Sequence, residues 1–498
     1  MEFLWDADFA IPATEIVRGM ISFLLSIVLL VVGYLLYGAL VERIFGIDRQ
    51  RVTPALAQTD GVDYVPLPAW RIFLIQFLNI AGLGPIFGAI MGIFFGPSAF
   101  LWIVFGTIFA GGVHDYLSGM MSVRRGGVSL PEIVGQELGV GVKQFMRVLS
   151  LVLLLLLTTT FLTGPANLLH GLVGSVDVVW WIVIVFAYYI LATLLPVDKI
   201  IGRFYPIFGA VLLFMGLGIM VVMLVKQAPI PELTDGLQSV HPQGYPLFPM
   251  MFVSIACGAI SGFHGTQSPI MARCMTNERQ GRRIFYGAMV AEGILALIWA
   301  AAAGSFFGGV GGLQTFAAEH AGENIAALVI DRISRSWLGT VGGILAIVGV
   351  VAAPITSGDT ALRSARLIVA DFLHLDQKAI PKRLLISIPM FLVVFGMTFV
   401  NFDIVWRYFA WTNQTLACFT LWTGAVFLYK QSRYRWGYWV ALLPAVFMTA
   451  VCSCYIVVAP EGFALPMPIG YAVAALACAV CAALFLRWAR KSGVSRIC

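Results

Sequence analysis

Two apolar stretches, Ile72–Gly96 and Met250–Pro269, are each long enough to span a bilayer, yet both carry helix-breaking residues where a membrane helix should be continuous. The first holds Gly82-Leu83-Gly84-Pro85, and the second crowds Cys257, Gly258, Ser261, Gly262, His264, Gly265, Thr266, Gln267 and Pro269 into one short run. Opening a helix in lipid strands backbone N–H and C=O groups at a cost of several kcal/mol each, so breaks survive only where protein or a water-filled cavity meets them. Paired interruptions in corresponding halves of a chain point to a transporter's substrate site.

The composition admits no soluble core of this size. Hydrophobic residues make up 60% of the 498 and charged residues 11%, against roughly 25% charged in soluble domains. Hydropathy windows of about 20 residues give spans near 18–41, 72–95, 98–121, 148–170, 179–196, 204–226, 247–270, 284–306, 339–362, 384–401, 407–429, 437–459 and 467–489. The first span follows Glu2, Asp6, Asp8 and Glu15, with no basic segment before it or small-residue cleavage site after it, and reads as a retained helix. Placing alternate connections in the cytoplasm gathers most of the 31 Lys and Arg there and leaves Arg18, Lys226, Arg332, Arg335 and Arg407 outside. The N-terminus is therefore expected outside and the C-terminus in the cytoplasm. The net charge of +6 reports this topology and contact with anionic lipid, and no nucleic-acid motif accompanies it. The eight cysteines lie mostly inside expected helices, and Cys478-x-x-Cys481 lacks the second pair or the His that a tetrahedral metal site needs, so no metal site is expected.

Aligning the two broken helices divides the chain. Residues 1–71 hold one helix and a loop, 72–226 a first set of five spans, 247–430 a second set of five, and 431–498 two further helices. Because five is odd, the two sets enter the membrane from opposite sides, as an inverted repeat requires. Each set has its longest connection between its second and third spans. In the first set Ser129 and Glu132 have capping-box spacing with Pro131 in the first turn. In the second, Phe316, Ile325, Leu328 and Ile333 within Leu313–Trp337 are spaced for one apolar helical face. The expected fold is an all-α polytopic membrane protein of about thirteen helices, resembling the five-plus-five inverted repeat of amino acid–polyamine–organocation (LeuT-type) transporters with extra helices at both ends.

Particular residues sharpen this reading. Gly84, Gly88, Gly92 and Gly96 recur every four positions and line one helix face, where packing alone would explain them. Pro85 beside two glycines is harder to explain by packing. Ionisable residues within spans are costly and mark function by default: His114, Asp115, His264, Glu292 and Asp359. An ion pair with Arg363, four residues on, is the plain alternative for Asp359. His264 and Glu292 fall on neighbouring antiparallel spans and are expected to meet as the polar centre of a cavity, although a His–Glu pair could also merely tie two helices. Thr356 and Ser357 offer two hard oxygen donors that suit a sodium ion.

Six ordered motifs carry a resemblance: Asn79-Ile-Ala-Gly-Leu-Gly-Pro85, Phe109-Ala-Gly-Gly-Val-His-Asp115, Ser129-Leu-Pro-Glu132, Ile255-Ala-Cys-Gly-Ala-Ile-Ser-Gly-Phe-His264, Tyr286-Gly-Ala-Met-Val-Ala-Glu292 and Thr412-Asn-Gln-Thr-Leu-Ala417. Together they resemble the carbon-starvation protein A family, from about Arg51 to Phe427. The resemblance implies a multi-pass transporter of the bacterial inner membrane, importing short peptides or, in some members, pyruvate. The chain is shorter than the long enterobacterial members, and Phe77-Leu78-Asn79 stands where those carry paired histidines. The expected function is a secondary active transporter with no cofactor, driven by Na+ or H+. Gly82, Gly84, Pro85, Gly258, Ser261, His264, Thr266, Gln267, Asn413 and Gln414 are candidates for substrate, and His114, Asp115, Glu292, Thr356, Ser357 and Asp359 for ion coupling. A channel would need a continuous polar stripe or charged ring in place of two isolated breaks. A membrane enzyme would need a His-Glu-x-x-His or Gly-x-Ser-x-Gly motif, and neither is present.

Overall fold

Helices make up nearly all the regular structure in a computed structural model of the chain, which describes residues 20–61, 63–194, 197–375 and 379–491. In chain order they are α1 Ile21–Phe45, α2 Ala69–Ile80, α3 Gly84–Gly92, α4 Ser98–Arg124, α5 Leu130–Leu138, α6 Val140–Leu172, α7 Val178–Leu194, α8 Val197–Val225, α9 Gly262–Ala272, α10 Gly287–Phe306, α11 Val310–Glu319, α12 Ile325–Leu373, α13 Ile380–Met397, α14 Phe402–Gln431, α15 Trp439–Val458 and α16 Met467–Lys491. Every expected span falls on one of these helices or on the broken segment before α9. Eight are long and apolar enough to cross a membrane outright, nine with the bent pair α2–α3 counted as one. The others are short, broken or richer in charge. The end at Cys498, and the loop residue Lys378, lie outside the described residues.

Both expected breaks are present. Between α2 and α3 the chain bends by 48° at Ala81–Leu83. The second apolar stretch is helical through the π-turn Leu247–Met251 and the short α-turn Phe252–Ser254, opens through Ile255–Ser261 and resumes as α9. Glycine determines how the two breaks meet. A Cβ on Gly84 would lie 2.3 Å from Cys257, one on Gly88 3.0 Å from the Ser254 carbonyl, and one on Gly92 2.2 Å from Ile255. The four-residue ladder on α3 is thus the face against which the second break is laid. Gly96 has left it: at φ +96° it ends the helix beside Val240.

Helix α4 grips the second break from the other side. Its Gly106–Gly111 turn is a π-bulge, a local widening that recurs at functional sites. Thr107 Oγ1 there donates to the Gly258 carbonyl at 3.2 Å, satisfying a group the broken helix has freed. A Cβ on Gly111 would come within 2.3 Å of the Ala259 carbonyl oxygen. The longest helices, α6 and α12, pack side by side, and Gly339 at φ +66° bends α12. Exposed Leu, Val, Ile and Phe side chains on α1, α8, α13 and α16 form the apolar outer surface.

Two local expectations are corrected. Ser129 caps no backbone N–H of α5; its hydroxyl lies 3.3 Å from Asp371, and Glu132 bonds Lys143 at 2.6 Å and Arg147 at 2.5 Å. Two cations on α6 outcompete one backbone amide for that carboxylate. Partial burial raises the Glu132 pKa, but Lys143 and Arg147 more than offset this and hold it below the ordinary value. Phe316 does not share a face with Ile325, Leu328 and Ile333 either. It belongs to α11, stacked on Phe307 at 4.5 Å, and the turn at Gly322 (φ +94°) separates it from α12.

The crossing can be tested directly. Gly84→Ala is expected to cost about 1–3 kcal/mol through overpacking, read as a lower thermal midpoint of the purified protein. Adding Cys257→Gly, which removes the obstructing atoms, should restore much of it.

Candidate functional site

At the crossing of the breaks four ionisable side chains come together, each fully buried: His114 and Asp115 from α4, His264 from α9 and Glu292 from α10. Asp115 is the bridge. Its Oδ1 lies 2.7 Å from His114 Nδ1 and its Oδ2 2.8 Å from His264 Nδ1. An ionised carboxylate only accepts, so both imidazoles present Nδ1–H to it. The far ring nitrogen of His264 stands 3.3 Å from Glu292 Oε2, close enough for an ion pair but not aligned as a hydrogen bond. The expected meeting of His264 with Glu292 therefore occurs, inside a larger assembly.

Charge balance defines what such a cluster does. With every site deprotonated, two carboxylates and two neutral imidazoles carry two negative charges, and burying unbalanced charge is expensive. The group is neutral when it holds two exchangeable protons. Adding or removing one leaves a net charge inside apolar protein, so proton occupancy and the packing of α4, α9 and α10 are coupled energetically.

Around this core the remaining candidates separate. Asn413 Oδ1 accepts from Phe263 N at 2.7 Å and Ser261 Oγ at 3.1 Å, so it caps the start of α9 and holds the second break. Gln414 Nε2 reaches the carbonyls of Phe252 at 3.3 Å and Ile260 at 3.5 Å, on either side of the same break. Gln267 Nε2 contacts Thr266 Oγ1 at 3.1 Å and Ser364 Oγ at 3.3 Å. Ser357 Oγ, with one proton to donate, lies 2.8 Å from Asn79 O and 3.3 Å from Leu78 O, where α2 ends, and 2.9 Å from the Ala353 carbonyl of its own helix, and a Cβ on Gly82 would lie 3.3 Å from it. Thr356 does not join it: its hydroxyl bonds the Ala352 and Ala353 carbonyls of its own helix. Pro85 lies across from Gly258, whose Cβ would be 3.7 Å from the Pro85 Cα. Asp359 lies apart from the core and accepts from Tyr205 OH at 2.9 Å.

Other contributors escaped the sequence reading. Thr107, Tyr205 and Ser364 belong to none of the motifs, and only their partners across the fold reveal a role. Gln76 and Asn79, on α2 just before the first break, are fully buried with no side-chain hydrogen-bond partner among the described residues.

A cavity of about 280 Å³ approaches the breaks from the α3 end, lined by Phe87, Met250, Ser254, Trp406 and Arg407 among others. A second, of about 470 Å³, shares Glu323, Asn324, Phe402 and Asp403 with it. Between these cavities and the breaks runs a chain of rings: Phe87 to Trp406 at 5.7 Å, Trp406 to Phe409 at 5.4 Å, Phe409 to Phe161 at 6.1 Å and Phe161 to Phe263 at 6.4 Å. Phe161 also fills the space over Gly82. A larger apolar groove of about 710 Å³, beside Trp102 and Phe447, contains none of these polar residues.

A broken-helix fold around a buried polar core is the architecture of membrane transporters, and the comparisons with known proteins agree. The profile of the carbon starvation protein CstA family matches residues 18–176, 165–310 and 300–454, and the chain belongs to that family. An uncharacterized membrane protein of Haemophilus influenzae is 44% identical over 331 residues, covering 56% of this chain and 89% of that one. The peptide transporter CstA of Campylobacter jejuni is 28% identical over 58% of this chain and 50% of its own length. The pyruvate/proton symporter BtsT of Escherichia coli is 28% identical over 55% of this chain and 47% of its own. The alignment thus spans about half the length of these named transporters. Among solved structures, a mutant of the Eremococcus coleocola manganese transporter superposes with a TM-score of 0.56 at 14% identity, covering 87% of this chain and 98% of that one. MhsT in complex with L-phenylalanine gives the same TM-score and identity over 78% of this chain and 99% of that one. These likenesses concern the fold.

Asn413 and Gln414 provide a contrast for testing. Asn413→Leu leaves the Phe263 N–H and the Ser261 hydroxyl without their acceptor and is expected to cost about 1–3 kcal/mol, seen as a lower melting midpoint. Gln414→Leu, which removes longer bonds and an unpartnered oxygen, should cost clearly less.

Proposed function

We propose that the chain is a proton-coupled secondary transporter that imports short peptides by alternating access. The observation that carries this reading is Asp115, bonded at once to His114 and His264, with Glu292 at the far nitrogen of His264. A chain of titratable groups at the point where two helices are broken links proton binding to the geometry of the substrate site. In this reading the freed backbone groups at Gly82–Pro85 and Gly258–Thr266 hold substrate, with Gln267, Asn79 and Gln76 as polar neighbours. The vestibule beside Arg407 is the outer entry, and the rings from Phe87 to Phe263 are the barrier that must part. The membrane arrangement is part of the same proposal: an inner-membrane protein with its N-terminus outside and C-terminus in the cytoplasm, and two inverted five-span repeats at 72–226 and 247–430.

Two alternatives have their own support. Pyruvate or another small carboxylate is favoured as substrate by the relation to a pyruvate/proton symporter. Sodium coupling is favoured by Ser357, whose hydroxyl meets the carbonyls at the end of α2 as a hard-cation site would require.

Uptake of labelled dialanine and labelled pyruvate into proteoliposomes, each under a proton or a sodium gradient, decides among these. Glu292→Gln is expected to keep substrate counterflow while gradient-driven uptake falls by about tenfold or more, as loss of a required proton transfer entails. Unaltered pH dependence in that variant would reduce Glu292 to a structural role. Ser357→Ala should leave proton-driven uptake intact; loss of a sodium stimulation present in the parent would favour the sodium reading.

A further inference from the structure

We propose that His114 is where the buried core exchanges protons with the side of the membrane on which α5 lies, through an aperture at Gly265 that Leu130 closes. The inference rests on the proton-coupled reading above and adds a route to it.

With Nδ1 committed to Asp115, Nε2 is the other end of the His114 ring; it is buried and has no hydrogen-bond partner among the described residues. It points at a glycine. A Cβ built on Gly265 would lie 3.4 Å from His114 Nε2, 3.3 Å from its Cε1 and 3.0 Å from Leu130 Cδ2. The imidazole edge, the bare backbone of α9 and the first residue of α5 therefore converge on one spot. Gly265 sits within a helix and has no unusual φ, so space is the reason for a glycine there. On the other side of Leu130 lies a small cavity of about 20 Å³ bordered by Ser129, Leu130, Thr266, Arg273 and Ser364. That volume admits about one water, and three hydroxyls can bind it. Leu130 thus stands between this cavity and His114, and its side chain is 1% exposed.

The transfer balances. A hydronium ion in the cavity gives its proton to His114 Nε2 and becomes water. The His114 Nδ1–H bond breaks as that proton passes to Asp115 Oδ1, leaving a neutral ring protonated on Nε2 and a neutral carboxylic acid. Run backwards, the same step discharges Asp115 into the cavity. The titratable groups facing His114 are Asp115 and His264, with Glu292 beyond His264 and Arg273 at the cavity wall. Leu130 heads a short helix fastened to α6 by Glu132 with Lys143 and Arg147, so displacement of α5 against α6 would uncover the aperture.

The test uses proteoliposomes of the full chain with a pH-sensitive dye inside, with labelled dialanine and labelled pyruvate as probes. Leu130→Ala is expected to raise proton flux without substrate by roughly tenfold, and Leu130→Val to raise it less. Gly265→Ala, which narrows the aperture by one methyl, should lower proton-driven uptake severalfold, and adding Leu130→Ala should restore it, which a lost substrate contact at Gly265 would not allow. If all these variants match the parent while Glu292→Gln and Asp115→Asn uncouple transport, the aperture is wrong and the proton-coupled reading stands. If the parent moves no protons with either probe, the reading and the aperture fall together.

Discussion

Everything in this structure depends on how unpaired backbone groups are kept from lipid. Two helices are opened in mid-membrane, and each freed carbonyl or amide needs a partner from elsewhere in the fold. Thr107 supplies one for Gly258, Ser357 for Leu78 and Asn79, Asn413 for Phe263, and Gln414 for Phe252 and Ile260. These four residues come from three helices far apart in the chain. The opened geometry of the breaks therefore depends on α4, α12 and α14 packing around them.

The same requirement explains the glycines. Partners can reach an open helix only if the neighbouring backbones come close, and Gly84, Gly88, Gly111 and Gly258 allow contacts that a methyl group would obstruct. Close approach also excludes water. That is why four ionisable groups can be packed together with no exposure and balance one another, with protons as the variable that sets their net charge.

Tight packing at the breaks is matched by closure on both sides. Aromatic rings from Phe87 to Phe263 separate the core from the larger cavities, and Leu130 separates it from the small one. In the alternating-access cycle proposed above, an arrangement closed at both faces is a necessary member.

Hydropathy, charge and the two Gly-rich interruptions determined by themselves that this chain is helical, spans a membrane and breaks two of its helices, because lipid penalises every polar exposure so heavily that few patterns are permitted. The motifs also marked His114, Asp115, His264 and Glu292, since an ionisable residue in an apolar span stands out wherever it is. What the linear order could not contain was pairing. Ser129 and Glu132 had the spacing of a local cap, yet Asp371, Lys143 and Arg147 took their hydrogen bonds. Thr356 and Ser357 are adjacent and both hydroxyls reach the Ala353 carbonyl of their own helix, but only Ser357 also reaches the first break. Asp115 became the centre because α4 and α9 bring two imidazoles to its two oxygens. Only the tertiary structure decides such an arrangement, because hydrogen-bond strength depends on distances of a few tenths of an ångström between residues up to 279 positions apart in sequence.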